Sequence, residues 1–166
     1  PSQDYFLLIV ADDLKEIIES DEDNNAFLTG NTFVVFNPND GCSGIFNASS
    51  QAELDLFPQN CTVWAGPIQL SGNITDLSPL SNLDIILGNL SFSNCTVQDF
   101  SPLSGLQELG ALFFSTNNEM TNLNGFPATL DVGSIQVISN PNLTSLAGLP
   151  VATGDIDNLT IANNDL

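Results

Sequence analysis

The sequence predicts a mainly β protein built as a solenoid of about five coils, each about 23 residues long. Three observations predict it. First, Leu77, Phe100, Leu123 and Leu146 stand 23 residues apart, as do Ile74, Val97, Met120, Leu143 and Leu166. A fixed period in the range of about 20 to 50 residues marks units that cannot bury their apolar face alone and must lie against their neighbours. Second, each period opens with a glycine and alternating apolar residues: Gly66 with Ile68 and Leu70, Gly88 with Leu90 and Phe92, Gly110 with Leu112 and Phe114, Gly133 with Ile135 and Val137. Leu159 and Ile161 begin a fifth. Alternation at period two marks a short strand with one face inside. Third, each period ends in a corner of similar form: Leu77-Ser78-Pro79-Leu80, Phe100-Ser101-Pro102-Leu103, Leu123-Asn124-Gly125-Phe126 and Leu146-Ala147-Gly148-Leu149. Five coils of strands stacked about 4.8 Å apart give a block roughly 24 Å tall.

The elements before the repeats read differently, and residues 1–40 are expected to form a segment separate from a solenoid over 41–166. Tyr5, Phe6, Leu7, Leu8, Ile9 and Val10 form an unbroken apolar run of strand length. Leu14, Ile17 and Ile18 then recur at helical spacing behind Asp12 and Asp13, acids that suit a helix N-terminus. Phe33 to Phe36 is a second β candidate, stopped by the turn-rich Asn37-Pro38-Asn39-Asp40-Gly41. Next, Ser50-Gln51-Ala52-Glu53 has the form of a capping box, predicting a short helix over 50–57 whose Leu54, Leu56 and Phe57 cover one end of the coil. Asn94, Asn117, Asn140 and Asn163, again 23 apart, are expected to form an inward ladder of amides, Asn94 leaving it if it carries sugar.

Composition narrows the function classes. Of 166 residues, 20 are carboxylates against the single base Lys15, with no His, for a formal net charge of −19. Phosphate contacts need Lys or Arg, so nucleic acid is excluded as a partner, and anionic membranes are disfavoured by the same repulsion. No apolar run exceeds the seven residues from Tyr5 to Ala11, far short of the roughly 20 a spanning helix needs, so no membrane insertion is expected. Pro1 in first place reads as a processed N-terminus or a fragment.

Charged residues make up only 13% of the chain, and Asn, Ser and Thr must solvate the outside. Asn47, Asn60, Asn73, Asn89, Asn94, Asn142 and Asn158 lie in Asn-x-Ser/Thr sequons, where the composition alone would give roughly three. The excess points to N-linked glycans on a secreted or cell-surface protein. Cys42 and Cys61 bracket a short segment ahead of the repeats, and an oxidising compartment would let them pair, with loop closure worth about 3 kcal/mol. Cys95 is the odd one, read as a buried thiol or as a link to another chain.

Cys42-Ser43-Gly44, Ser50-Gln51-Ala52-Glu53-Leu54 leading to Cys61-Thr62, and Gly133-Ser134-Ile135-Gln136-Val137 followed by Asn140-Pro141-Asn142-Leu143 resemble the receptor L domain. That family is the leucine-rich, right-handed β-helix of insulin-receptor and epidermal-growth-factor-receptor ectodomains and of many microbial surface proteins. The resemblance covers about 41–166 and implies that Cys42 pairs with Cys61 and that the helix near 50–57 caps the coil. The family's functions span hormone binding, adhesion and wall structure. Two departures stand out: the first 36 residues have no counterpart, and Leu166 falls inside a coil with no closing cysteine-bearing cap. Phe33-Val34-Val35-Phe36-Asn37-Pro38-Asn39-Asp40 also looks like a short box of fasciclin adhesion domains.

Catalytic parts are scarce. Without His, a nucleophilic triad or a proton relay near neutral pH has no base. Glu53, Asp55, Glu108 and Asp131 are of a type that can hydrolyse glycosides, but they fall on the capping helix and in inter-coil turns and read as solvated surface, so no enzyme is expected. Asp21-Glu22-Asp23-Asn24-Asn25 begins like a calcium loop, yet Ala26 stands where the loop needs glycine and no Glu closes it; no cofactor is expected beyond glycans, with Ca²⁺ reserved for a loose surface site. The outward strand positions Gln69, Ser91, Phe113, Gln136 and Thr160 are too mixed for a regular ice-binding row. What remains is assembly. A solenoid that stops at Leu166 leaves Leu159, Ile161 and Leu166 bare, and the free apolar strand Tyr5 to Val10 is a candidate to cover them in the next copy. The expected function is an extracellular glycosylated structural protein assembling head to tail into a fibre or surface layer. The alternative is a ligand-binding or adhesive ectodomain with a carbohydrate or protein ligand.

Overall fold

Apolar residues at period two, interrupted by polar corners at period about 23, leave the backbone one way to pair every strand amide: against the equivalent strand one coil away. A computed structural model describes residues 25–29, 32–36, 42–150 and 156–166 and shows that arrangement. The chain divides into two units, Pro1–Gly41 and Cys42–Leu166.

In the first unit, β1 (Asn25–Thr29) pairs antiparallel with β2 (Thr32–Phe36), Thr29 opposite Thr32. The predicted β candidate at Phe33 to Phe36 lies in β2, whereas its partner β1 was not expected. The predicted strand Tyr5 to Val10, the helix after it and the start of the calcium-like loop lie outside the described residues.

The second unit is a mainly β solenoid of about five turns. Strands β3 (Phe46–Ser50), β5 (Ile68–Asn73), β6 (Ile85–Ser93), β7 (Glu108–Ser115), β8 (Asp131–Ile138) and β9 (Asn158–Ala162) pair in parallel in chain order, and β4 (Val63–Trp64) pairs with β6. Asn47, Gln69, Ser91, Phe113, Gln136 and Thr160 face one another across successive strands, so the outward row read from the alternation is one register row. Successive members from Gln69 are 22, 22, 23 and 24 residues apart, while the opposite corner keeps 23 throughout. Bulges absorb the difference, one between Ile86 and Asn89 and another between Ala48 and Ser50.

The core is the stack of inward residues. Ile68, Leu70, Leu90, Phe92, Leu112, Phe114, Ile135 and Val137 are buried, as are the corner residues Leu77, Phe100 and Leu123. Phe92 and Phe114 stack with centroids 5.1 Å apart, and Phe100 sits edge-on to both at 5.4 Å. Close stacking also explains the glycines. A Cβ on Gly88 would lie 2.3 Å from the Gly66 carbonyl, so the column at the strand entrances tolerates no side chain there.

At the first coil, α1 is only the single turn Gln51–Leu54, shorter than the expected 50–57. The Glu53 N–H donates to Ser50 Oγ at 3.4 Å, but the Glu53 carboxylate reaches one residue past the expected amide, accepting from the Ser49 N–H at 2.6 Å. Leu54 and Phe57 are buried, and the Phe57 ring packs against those of Phe46 and Trp64. Leu56, expected to help cover the end, is 78% exposed. Cys42 and Cys61 form a disulfide that ties the start of the first coil to its far side.

Candidate functional site

With one face of every strand committed to the core, any function of the solenoid lies on its outer sheet face, at its corners and at its ends. Three register rows form the sheet face. One is Asn89, Ala111, Ser134 and Asn158; the next is the row from Asn47 to Thr160; the third is Ser71, Ser93, Ser115, Ile138 and Ala162. The surface is therefore amide and hydroxyl over its first coils, with a half-buried Phe113 in the middle of the second row.

A bulge in β5, where Ser71 and Gly72 (φ 72°, in the left-handed region) together oppose the single residue Ser49 of β3, lies beside a shallow groove of about 510 Å³ on this face. Its polar lining is Asn47, Ser49, Glu53, Gln69, Ser71, Ser91 and Ser93. Ser49 donates from its backbone N–H and, at 2.8 Å, from Oγ to the Glu53 carboxylate. Those two bonds, backbone first, hold the Glu53 carboxyl below its ordinary value. The side chains of Asn47, Gln69, Ser71 and Ser93 make no hydrogen bond among the described residues, and all four stand at the groove wall.

All seven sequon asparagines, Asn47, Asn60, Asn73, Asn89, Asn94, Asn142 and Asn158, are exposed. The two fully buried asparagines, Asn117 and Asn140, lie in no sequon. Three of the seven, Asn47, Asn89 and Asn158, are on the sheet face itself.

Buried amides do form a ladder: Asn117 and Asn140 belong to it as the period predicts, whereas Asn94 and Asn163 do not. Asn117 Oδ1 accepts from the Cys95 N–H at 2.8 Å, and its Nδ2 donates to the Phe92 carbonyl at 3.0 Å. Asn140 Oδ1 accepts from the Asn117 N–H, and Asn164 Oδ1 from the Asn140 N–H, both at 3.0 Å. Asn94 and Asn163 are exposed and stand one residue earlier, in the left-handed region (φ 54° and 56°), with Thr116 and Ser139 at the equivalent corners. The ladder follows the sheet-side spacing of 22, 23 and 24 (Cys95, Asn117, Asn140, Asn164) rather than 23 throughout. Cys95 takes the first place as a buried free thiol, raised by that burial to about 11.

At the corner column, Asp76 and Asp99 each accept from the backbone N–H and hydroxyl of the serine two residues on, Ser78 and Ser101. The bonds hold both carboxyls below their ordinary range. The four carboxylates weighed for glycoside cleavage are not gathered: Glu53 lies in α1 and Asp55 caps its C-terminus, while Glu108 and Asp131 face each other at the entrances of β7 and β8. Among the described residues no group of His, Cys, Asp or Glu is placed to hold a metal ion, and no helix is long and apolar enough to cross a membrane. Of the expected assembly residues, Leu159 and Leu166 are 51% and 59% exposed and Ile161 is half-buried against the core; Tyr5 to Val10 lie outside the described residues.

No protein family, curated protein or solved structure matches this chain.

Proposed function

We propose that the chain is an extracellular, N-glycosylated structural module, a rigid leucine-rich-type solenoid that builds a fibre or surface layer by packing copies head to tail. The observation that carries the extracellular half is the sorting of its asparagines: every sequon Asn faces solvent, and the amides needed inside are free of the sequon. The disulfide between Cys42 and Cys61 fits an oxidising compartment. Kinship with the receptor L domain belongs to the same proposal, supported by that disulfide, by the turn of helix inside its loop and by the parallel coils.

Self-assembly is supported by the way coils join within the chain. Each adds one parallel strand and one apolar layer in the same register, and a second copy presenting such a layer to Leu159, Ile161 and Leu166 would repeat that contact. Negative-stain microscopy of the native protein tests it: a periodic fibre is expected, and deletion of residues 1–10 is expected to leave folded but dispersed particles. Monodisperse particles from the intact protein would overturn the assembly half.

A ligand-binding or adhesive module is the second reading, favoured by one observation, the open polar groove on the first coils. Surface plasmon resonance against extracellular matrix or wall extracts separates the two, since a purely structural module shows no saturable partner.

A further inference from the structure

The groove between β3, β5 and β6 gathers hydrogen-bonding groups from three coils on the sheet face. Asn47 and Gln69 supply two amides, Ser71 and Ser93 two hydroxyls, all without a hydrogen-bond partner among the described residues, and Glu53 the carboxylate oxygen that Ser49 leaves free. From these residues we propose that the groove is a saccharide-binding site, taking neutral pyranose units along the direction of strand stacking. Four properties of the site select that chemistry.

Backbone amides and carbonyls lie in the plane of the sheet, and those between β3, β5 and β6 are committed to the parallel ladder, so a peptide strand laid across this face finds no main-chain partners. The ligand must be satisfied by side-chain amides and hydroxyls, which donate and accept at short intervals as a polyol does. The chain's net charge of −19 and the Glu53 carboxylate exclude an anionic ligand, whereas a carboxylate accepts well from neutral hydroxyls. Three strands at two steps of about 4.8 Å give a track roughly 10 Å long, the reach of a disaccharide. Beyond Ser91, the next register position is the half-buried Phe113, an apolar face against which the C–H side of a further ring can rest.

Asn47 gives this chemistry two sources, because it is both a groove residue and a sequon asparagine. The occupant is either the glycan attached to Asn47, folded back over Gln69 and Ser71, or a separate saccharide. Only the first source rests on the glycosylation proposed above.

The test titrates chitohexaose and cellohexaose by calorimetry into the full chain made in an oxidising host that adds no glycans. Saturable binding of at least one sugar is expected. Gln69→Ala together with Ser71→Ala is expected to weaken it about tenfold, as the loss of two or three ligand hydrogen bonds predicts. Gln136→Ala, on the same face but outside the groove, leaves it unchanged. Failure of the aglycosylated protein to bind either sugar, or binding indifferent to the paired substitution, overturns the proposal. The glycosylated protein then separates the sources. If it binds sugar only after Asn47→Gln, the native occupant is its own glycan; if it binds without the change, the saccharide is external. The mass of the Asn47 peptide reports occupancy independently, so a failure of the glycoprotein reading is visible even when the groove binds.

Discussion

Replacing Asn117 tests the amide ladder most severely. Its side chain is 2% exposed; it accepts from the Cys95 N–H and donates to the Phe92 carbonyl and to Asn140 Oδ1. Asn117→Ala removes all three bonds at a buried position. The Cys95 N–H is then left without a partner, at a desolvation cost of about 1 to 3 kcal/mol, and the two donor bonds add about 1 kcal/mol each. The total, about 3 to 5 kcal/mol, is a large share of the roughly 5 to 15 kcal/mol that holds a typical domain together. Asn94→Gly is the matched control, since Asn94 is exposed and its φ of 54° suits glycine; it is expected to change stability by less than about 0.5 kcal/mol. Guanidinium unfolding followed by circular dichroism, in the aglycosylated protein at fixed ionic strength, gives both values. A loss below about 1 kcal/mol for Asn117→Ala, or equal losses at the two sites, would refute the ladder as drawn.

Other consequences are independent of the ladder. Gly88→Ala forces a Cβ to 2.3 Å from the Gly66 backbone and is expected to cost more than about 3 kcal/mol, whereas Gly105→Ala meets nothing within 4 Å and is expected to be neutral or slightly stabilising; similar melting temperatures for the two would contradict the close stacking of the strand entrances. Reducing the bond between Cys42 and Cys61, 19 residues apart, should lower stability by about 3 kcal/mol, with hydrogen exchange rising first around α1 and β3; an unchanged denaturation midpoint in reductant argues against the staple. The Cys95 thiol, buried and pushed up to about 11, stays protonated at pH 8 and should react with Ellman's reagent only after unfolding, so prompt labelling of the native protein would be inconsistent with its placement. Glu53, Asp76 and Asp99 have folded values below their unfolded ones, so their contribution is present above the ordinary carboxylate range and lost as pH falls through the folded values. Carboxyl carbon shifts in an NMR titration should show all three midpoints low, and a midpoint at or above the ordinary value would remove the hydrogen bonds assigned to that group.

The parts of this fold visible in the sequence are those where one side chain does one job per coil. Leu77, Phe100 and Leu123 must each fill the same corner, so their spacing never slips, and the alternation through Leu90 and Phe92 can only mean a strand with one face inside. The ladder's two central members, Asn117 and Asn140, follow the period, but its two ends do not, because the sheet side does not share that rhythm. The sheet side steps by 22 residues in the early coils and by 23 and 24 in the later ones, so a strict period of 23 selects Asn94 and Asn163 at the left-handed corners instead of Cys95 and Asn164 beside them. The helix shrank to one turn because its cap is the strongest thing about it; past Leu54 the chain turns back so that Phe57 can reach Trp64, leaving Leu56 outside. Strand β1 was missed because Asn25-Ala26-Phe27-Leu28-Thr29 has no clean alternation, although Gly30-Asn31 behind it is a dipeptide suited to a two-residue hairpin connection. The groove had almost no linear signature. It lies where β5 bulges at Ser71 and Gly72 against Ser49 and is lined by side chains from three coils, and only Gly72 carried a hint of that.

The most direct measurement on the claim that this solenoid is a sugar-coated extracellular structure is site-by-site glycopeptide mass spectrometry of the protein from its native source. Modification is expected at several of Asn47, Asn60, Asn73, Asn89, Asn94, Asn142 and Asn158, all of which face solvent, with Asn117 and Asn140 always bare. Seven unmodified asparagines, or sugar on either buried one, would contradict the account.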